Sequence, residues 1–193
     1  EEELLARILL LEIEEADDCD RARADPAYLV SHMSAPDERT SETFTFEHLR
    51  TPLTEEELAA IGTDGGHQWF AANDWRWQRA WFDWYYHTKR SITCKARQEG
   101  ITWLACGAHV ADALIHPGSL LLVYRQKEEE AHENIFRCWA LLESLPPHLW
   151  MGAKIEKPSR VAQPIPTEEL RLRFPNGKAS RILAMTSASA SGH

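Results

Sequence analysis

Hydrophobic and polar residues follow two different periods along this chain. Apolar residues spaced as in helices occupy residues 1–18, 26–32, 54–61, 69–88, 101–115 and 127–144. Period-two alternation or a short apolar run predicts strands at residues 42–46, 90–94, 120–124, 169–174 and 180–185. Strands separated by helices predict an α/β fold with a parallel-stranded core flanked by helices, and the last two strands predict an added β-hairpin.

The predicted helices divide the chain into two parts. Residues 1–68 read as a helical lead-in segment, in which Asp25-Pro26 and Thr54–Glu57 are typical helix starts and residues 34–52 are mostly loop. Residues 69–193 read as the main α/β domain, and Asn176-Gly177 supplies the positive φ of a hairpin turn. We expect the lead-in segment to pack against this domain.

Residues 69–88 are rich in aromatic side chains. On a helix, Trp77, Trp81 and Trp84 fall on one face, because they are spaced i, i+4 and i+7. Such a stripe can stack on nucleic-acid bases. Packing in the core is the favoured interpretation, since the spacing suits burial against a sheet.

Composition bears on three classes of function: nucleic-acid binding, membrane association, and metal or disulfide sites. The chain has 193 residues and a net charge of −9, so it is a poor generic binder of nucleic acid. No apolar run approaches the length of a membrane span, and we expect no membrane association. The four cysteines include no C-x-x-C pair, so neither a zinc site nor a disulfide framework is indicated, and a reducing cytoplasm fits.

A short loop between the predicted strand 90–94 and the predicted helix 101–115 carries the candidate chemistry. Against the phosphate-loop pattern G-x-x-x-x-G-K-[ST], Gly100 and Thr102 match. Ile101 stands at the lysine position and Lys95 at the first glycine position, so a basic residue is present at the other end of the loop. Lys95 or Arg97 can fold back over bound phosphate. Alternatively, Gly100 merely permits a turn and the charges are solvated.

The run K-A-R-Q-E-G-I-T-W-L at residues 95–104 resembles the ATPase loop of the large terminase subunit, the motor that packs DNA into phage capsids. The resemblance implies a P-loop NTPase-type core, ATP and Mg²⁺ as cofactors, and catalytic charge neutralisation by Lys95 and Arg97. It also implies that Thr102 ligates Mg²⁺. The implied phosphate-binding residues are Lys95, Arg97, Gln98, Gly100, Ile101, Thr102 and Trp103.

Three further segments are similar to the same family. Gln78, in Trp77-Gln78-Arg79, stands 17 residues before Lys95, where the family carries an adenine-reading glutamine. The alternative is a surface glutamine on an amphipathic helix. Gln126-Lys127 match a short polar motif at a strand end, from which Arg125 departs, although a solvated turn explains them equally well. Phe174–Met185 resembles the family's hairpin.

The resemblance implies an N-terminal part of a DNA-packaging ATPase of phages and prophages. The carboxylates that order Mg²⁺ and position water are expected beyond His193, so the ATPase domain is partial, truncated before the Walker B strand, and inactive alone. Implied partners are double-stranded DNA, the portal protein, the small terminase subunit and further copies in a ring, in the cytoplasm of a bacterial host. An acidic motor must confine its basic surface to one face or create it by assembling. The alternatives are a helicase-like ATPase and a non-hydrolysing DNA- or capsid-docking module with a P-loop fold.

Overall fold

The structure, a computed structural model, describes residues 2–36, 43–61, 75–88, 100–156 and 168–186. The α-helices in these ranges are α1 (Glu2–Ala24), α2 (Pro26–Ser31), α3 (Glu55–Ile61), α4 (Arg76–His87), α5 (Ile101–Ile115) and α6 (Glu128–Glu143). The strands are β1 (Ser34–Pro36), β2 (Thr43–Thr45), β3 (Leu120–Arg125), β4 (Lys154–Ile155), β5 (Glu169–Arg173) and β6 (Ala179–Thr186). Two 3₁₀ turns are formed by Glu47–Leu49 and Pro147–Trp150.

The main sheet has four strands in the order β3-β6-β5-β4. β3 and β6 run parallel, with Leu121 opposite Ile182, whereas β5 is antiparallel to both β6 and β4. The predicted mixed α/β class and the hairpin are therefore confirmed, and Gly177 has the expected positive φ of 80° in the turn. The strand predicted at residues 90–94, on which the P-loop core depends, lies outside the described residues.

Helices α5 and α6 cover one face of this sheet and form the core with it. Leu104 on α5, Ile135 on α6 and Leu170, Leu172 and Ile182 on the sheet are all fully buried. α5 is apolar on nearly every side, which is typical of a helix enclosed by other elements. The opposite face of the sheet is open at β3.

The first third of the chain joins the same core through α2. Asp25 caps this helix by accepting a hydrogen bond from the Ala27 N–H at 3.1 Å, and Pro26 occupies its first position, as predicted. Val30 lies against Gly107 of α5, where an added Cβ would stand only 3.0 Å from the Val30 Cγ1. Glycine at 107 thus allows α2 and α5 to approach closely.

Helix α1 and residues 34–52 differ from the prediction. The helix predicted for residues 1–18 continues to Ala24; most of the acidic run after Glu12 faces solvent, and Asp18 accepts a hydrogen bond from the Tyr28 hydroxyl at 2.7 Å. Within residues 34–52 the strand predicted at residues 42–46 is confirmed as β2, whereas its partner β1 and the 3₁₀ turn lie where loop was predicted. Three-residue strands such as β1 are too short to show a period of two.

The aromatic helix α4 presents a different face to the core from the one predicted. Gln78, Arg79 and Phe82 are buried, while Trp84 is 43% exposed. Trp77 and Trp81 are partly buried beside the core, so the predicted tryptophan stripe is wrong for Trp84. The helix also packs against α2, α5 and the turn at Glu47–Leu49 rather than a sheet, because buried polar partners there satisfy Gln78 and Arg79.

Candidate functional site

Helix α5 begins at Gly100, whose backbone conformation is one that other residues rarely adopt. Gly100 is the N-cap and has φ 67° and ψ −3°, in the left-handed region that side chains with a Cβ rarely adopt. An added Cβ would stand 3.0 Å from Gln78 Nε2, 3.7 Å from the Trp75 ring and 3.9 Å from the Phe44 ring. The backbone conformation therefore favours glycine at this position, and the contact with Gln78 adds to the cost of any larger residue.

The first turn of α5 contains backbone donors that have no hydrogen-bond partner among the described residues. The helical hydrogen-bond ladder begins with the Leu104 N–H donating to the Gly100 carbonyl at 3.0 Å. The N–H groups of Ile101, Thr102 and Trp103 precede it, and no side chain in the described ranges caps them. Such donors, together with the partial positive charge of the helix N-terminus, favour an anion. Thr102 and Trp103 are half-buried, whereas Ile101 is buried.

Gln78 lies directly beside this helix start. Its side chain is fully buried, and its Oε1 is 2.9 Å from His48 Nε2. Burial holds the pKa of His48 below its ordinary value, so the ring is neutral near pH 7 and its Nε2–H can donate to Gln78. The alternative interpretation of Gln78 as a surface residue is therefore wrong. Adenine recognition by Gln78 stays a prediction.

A cation that the sequence analysis did not identify lies over the same turn. The Arg137 guanidinium carbon is 5.3 Å from the centre of the Trp103 ring, a cation–π arrangement. Arg137 also donates to Asn134 Oδ1 at 3.1 Å and to Glu133. The i, i+4 spacing of Glu133 and Arg137 is visible in the sequence, but the contact with Trp103 joins two helices and leaves no local signal.

The remaining predicted site residues are only partly described. Lys95, Arg97 and Gln98 lie outside the described residues, so their roles stay predictions. Thr102 occupies the second position of α5, two residues after Gly100, which is the spacing that the phosphate-loop pattern requires. Gln126 and Lys127 are exposed in the turn between β3 and α6, at the end of a parallel strand.

A second polar cluster lies apart from the helix start. Arg79 is buried and forms ion pairs with Asp25 at 3.0 Å and Asp83 at 2.9 Å, and it donates to the Leu49 carbonyl at 2.6 Å. It lines a cleft of about 560 Å³ with mainly apolar walls that include Trp84. Through these contacts the Arg79 guanidinium joins the start of α2, α4 and the turn at Glu47–Leu49.

The described residues offer neither a metal site nor a membrane span. They contain no group of three or more His, Cys, Asp or Glu side chains that could hold a metal ion. No helix among them is long and apolar enough to cross a membrane. Comparison of the sequence with protein-family models and with curated proteins finds no match.

Proposed function

We propose that this chain is the ATP-binding part of a DNA-packaging ATPase of the terminase type. The supporting observation is the start of helix α5, where Gly100 adopts a left-handed conformation and is followed by three N–H groups that no group in the described part of the chain caps. This is the local geometry that a phosphate loop needs at its carboxyl end. The resemblance of residues 95–104 to the terminase loop supplies the family and the nucleotide.

In this proposal the phosphates bind at the backbone N–H groups of Ile101, Thr102 and Trp103. Lys95 and Arg97 neutralise the charge of the β- and γ-phosphates from the opposite end of the loop, where Gln98 also contributes. Thr102 would hold Mg²⁺, which draws negative charge from the phosphoryl oxygens. Hydrolysis depends on positioning and charge stabilisation, which one loop does not supply alone, so we expect little turnover by these 193 residues.

The partners in this proposal follow from the terminase resemblance. Several copies would form a ring with the portal protein and the small terminase subunit, in the cytoplasm of a bacterial host. Hydrolysis would then move double-stranded DNA into the capsid. These assignments rest on residues 95–104 and the hairpin rather than on the geometry of α5.

Gln78 has two possible roles at such a site. Its Nε2 lies against Gly100, so the side chain can hold the end of the loop in place. Its amide can also hydrogen-bond to an adenine edge, provided that Oε1 gives up its hydrogen bond with His48 and accepts one from the base. The variant Gln78→Ala separates these roles: loss of the preference for ATP over GTP indicates adenine reading, and equal weakening of both nucleotides indicates a positioning role.

Amide hydrogen exchange tests the proposed phosphate site directly. ATP with Mg²⁺ should slow exchange of the Ile101, Thr102 and Trp103 amides, and AMP should do so far less, because it lacks the β- and γ-phosphates. The amides of β5 at Glu169–Arg173 serve as the internal control. Protection spread evenly over the chain, or no protection at α5 at saturating ATP, refutes the proposed site.

A further inference from the structure

The open face of the main sheet has two chemically different corners. Along β3, Leu120, Leu122 and Tyr124 are more than half exposed. At the other corner the strands β4, β5 and β6 carry cations on the same face. We call this second corner the basic corner; it consists of Lys154, Arg171, Arg173 and Arg181.

The register brings these cations together in like-charged pairs. Lys154 lies opposite Arg173 across β4 and β5, and Arg171 lies opposite Arg181 across β5 and β6. Like charges directly opposite each other destabilise a sheet. The side chains of Arg171, Arg173 and Arg181 are nonetheless 43%, 51% and 43% exposed, so they reach solvent.

Two carboxylates partly compensate this concentration of charge. Glu156 contacts Arg171 at 3.0 Å and Arg173 at 2.7 Å, and Glu169 contacts Arg181 at 2.5 Å. Among the described residues four cations thus face two carboxylates, and the basic corner carries a surplus of positive charge. The whole chain has a net charge of −9, so this corner is locally positive on a protein that is negative overall.

We propose that the basic corner binds the phosphate backbone of double-stranded DNA. This inference rests on the proposed function, which supplies the class of partner, while the sheet register supplies the surface. Neighbouring positions on the face are about 5–7 Å apart along and across the strands. Duplex DNA carries one charge per about 1.7 Å of its axis, dense enough for each cation to meet a phosphate. Backbone contacts of this kind read no sequence.

The two carboxylates then act as internal competitors of DNA. Glu156 occupies two of the arginines in the free protein, and a phosphate must displace it or share them. Removing its charge therefore strengthens DNA binding. Loss of structure would be expected to weaken a specific surface, so a gain of affinity by Glu156→Gln, in a variant whose circular dichroism matches that of the wild type, is the decisive result.

Fluorescence anisotropy of a labelled random-sequence DNA duplex, titrated with the full chain at low salt, tests the proposal. Glu156→Gln should bind the duplex several-fold more tightly, and Glu12→Gln, which removes an exposed charge on α1, should bind no more than slightly more tightly. Arg171→Gln/Arg173→Gln should bind more weakly and lower the slope of log K against log salt by about 2. Arg7→Gln/Arg50→Gln removes the same charge from exposed positions elsewhere and should leave the slope unchanged.

The outcomes separate this inference from the proposed function. Equal effects of the two arginine pairs, no gain with Glu156→Gln, or no binding by any variant overturns the basic corner as a DNA surface. ATP binding is measured on the same samples. Absent ATP binding with the expected DNA results overturns the nucleotide site and leaves the basic corner standing.

Discussion

Replacing Gly100 by alanine tests whether the start of helix α5 is built as described. The left-handed φ of 67° costs a residue with a Cβ about 1–2 kcal/mol. The new methyl group would also stand 3.0 Å from Gln78 Nε2, so the buried amide has to shift while its Oε1 is held by His48. Weakening that hydrogen bond adds about 0.5–1.5 kcal/mol.

Gly177→Ala is the matched control for Gly100→Ala. Gly177 has a φ of 80°, and an added Cβ would meet nothing within 4 Å. Both variants change the unfolded chain in the same way, so the difference between them isolates the contact with Gln78. In urea unfolding followed by circular dichroism, Gly100→Ala should be less stable than Gly177→Ala by about 0.5–1.5 kcal/mol. Equal losses would mean that Gln78 does not press against Gly100.

Two further predictions concern the buried polar groups. Arg79→Met leaves the Asp25 and Asp83 carboxylates, 26% and 30% exposed, without their cation, and should lower the free energy of unfolding by about 2–3 kcal/mol; an unchanged urea midpoint contradicts this. The pKa of His48 is lowered by burial, so its stabilising effect is complete above pH 6.5 and is lost as the pH falls from 6.5 towards the folded-state pKa. NMR titration should give a pKa for His48 below 6.5. In His48→Gln, the free energy of unfolding should fall less on acidification than in the wild type. A His48 ring that titrates at or above pH 6.5 refutes the assignment.

Local signals in the sequence predicted much of the fold. The Thr54–Glu57 capping box forms as expected, with the Thr54 N–H donating to Glu57 Oε2 at 2.8 Å and the Glu57 N–H donating to Thr54 Oγ1 at 3.2 Å. The Asn176-Gly177 turn likewise fixes the hairpin, since the Gly177 N–H donates to the Phe174 carbonyl at 3.0 Å. In both segments the residues that interact are close together in sequence.

The burial of polar side chains could not be predicted in this way. Gln78 pairs with His48, 30 residues away, and Arg79 pairs with Asp25, 54 residues away. On the sequence alone these residues belong to the polar face of α4, which is why the tryptophans were expected to face the core. The position of Arg137 is equally hard to predict from local sequence, because its contact with Trp103 depends on how α5 and α6 pack.

The central proposal is that the loop before α5 binds ATP and that Lys95, outside the described residues, provides its positive charge. Isothermal titration of ATP–Mg²⁺ into the wild type, Lys95→Ala and Lys154→Ala measures this most directly. A charge-assisted phosphate contact contributes about 1.5–3 kcal/mol, so Lys95→Ala should bind ATP at least about tenfold more weakly, and Lys154→Ala, an equal loss of charge on the sheet, should bind normally. Normal binding by Lys95→Ala, or no binding by the wild type, would contradict the proposal.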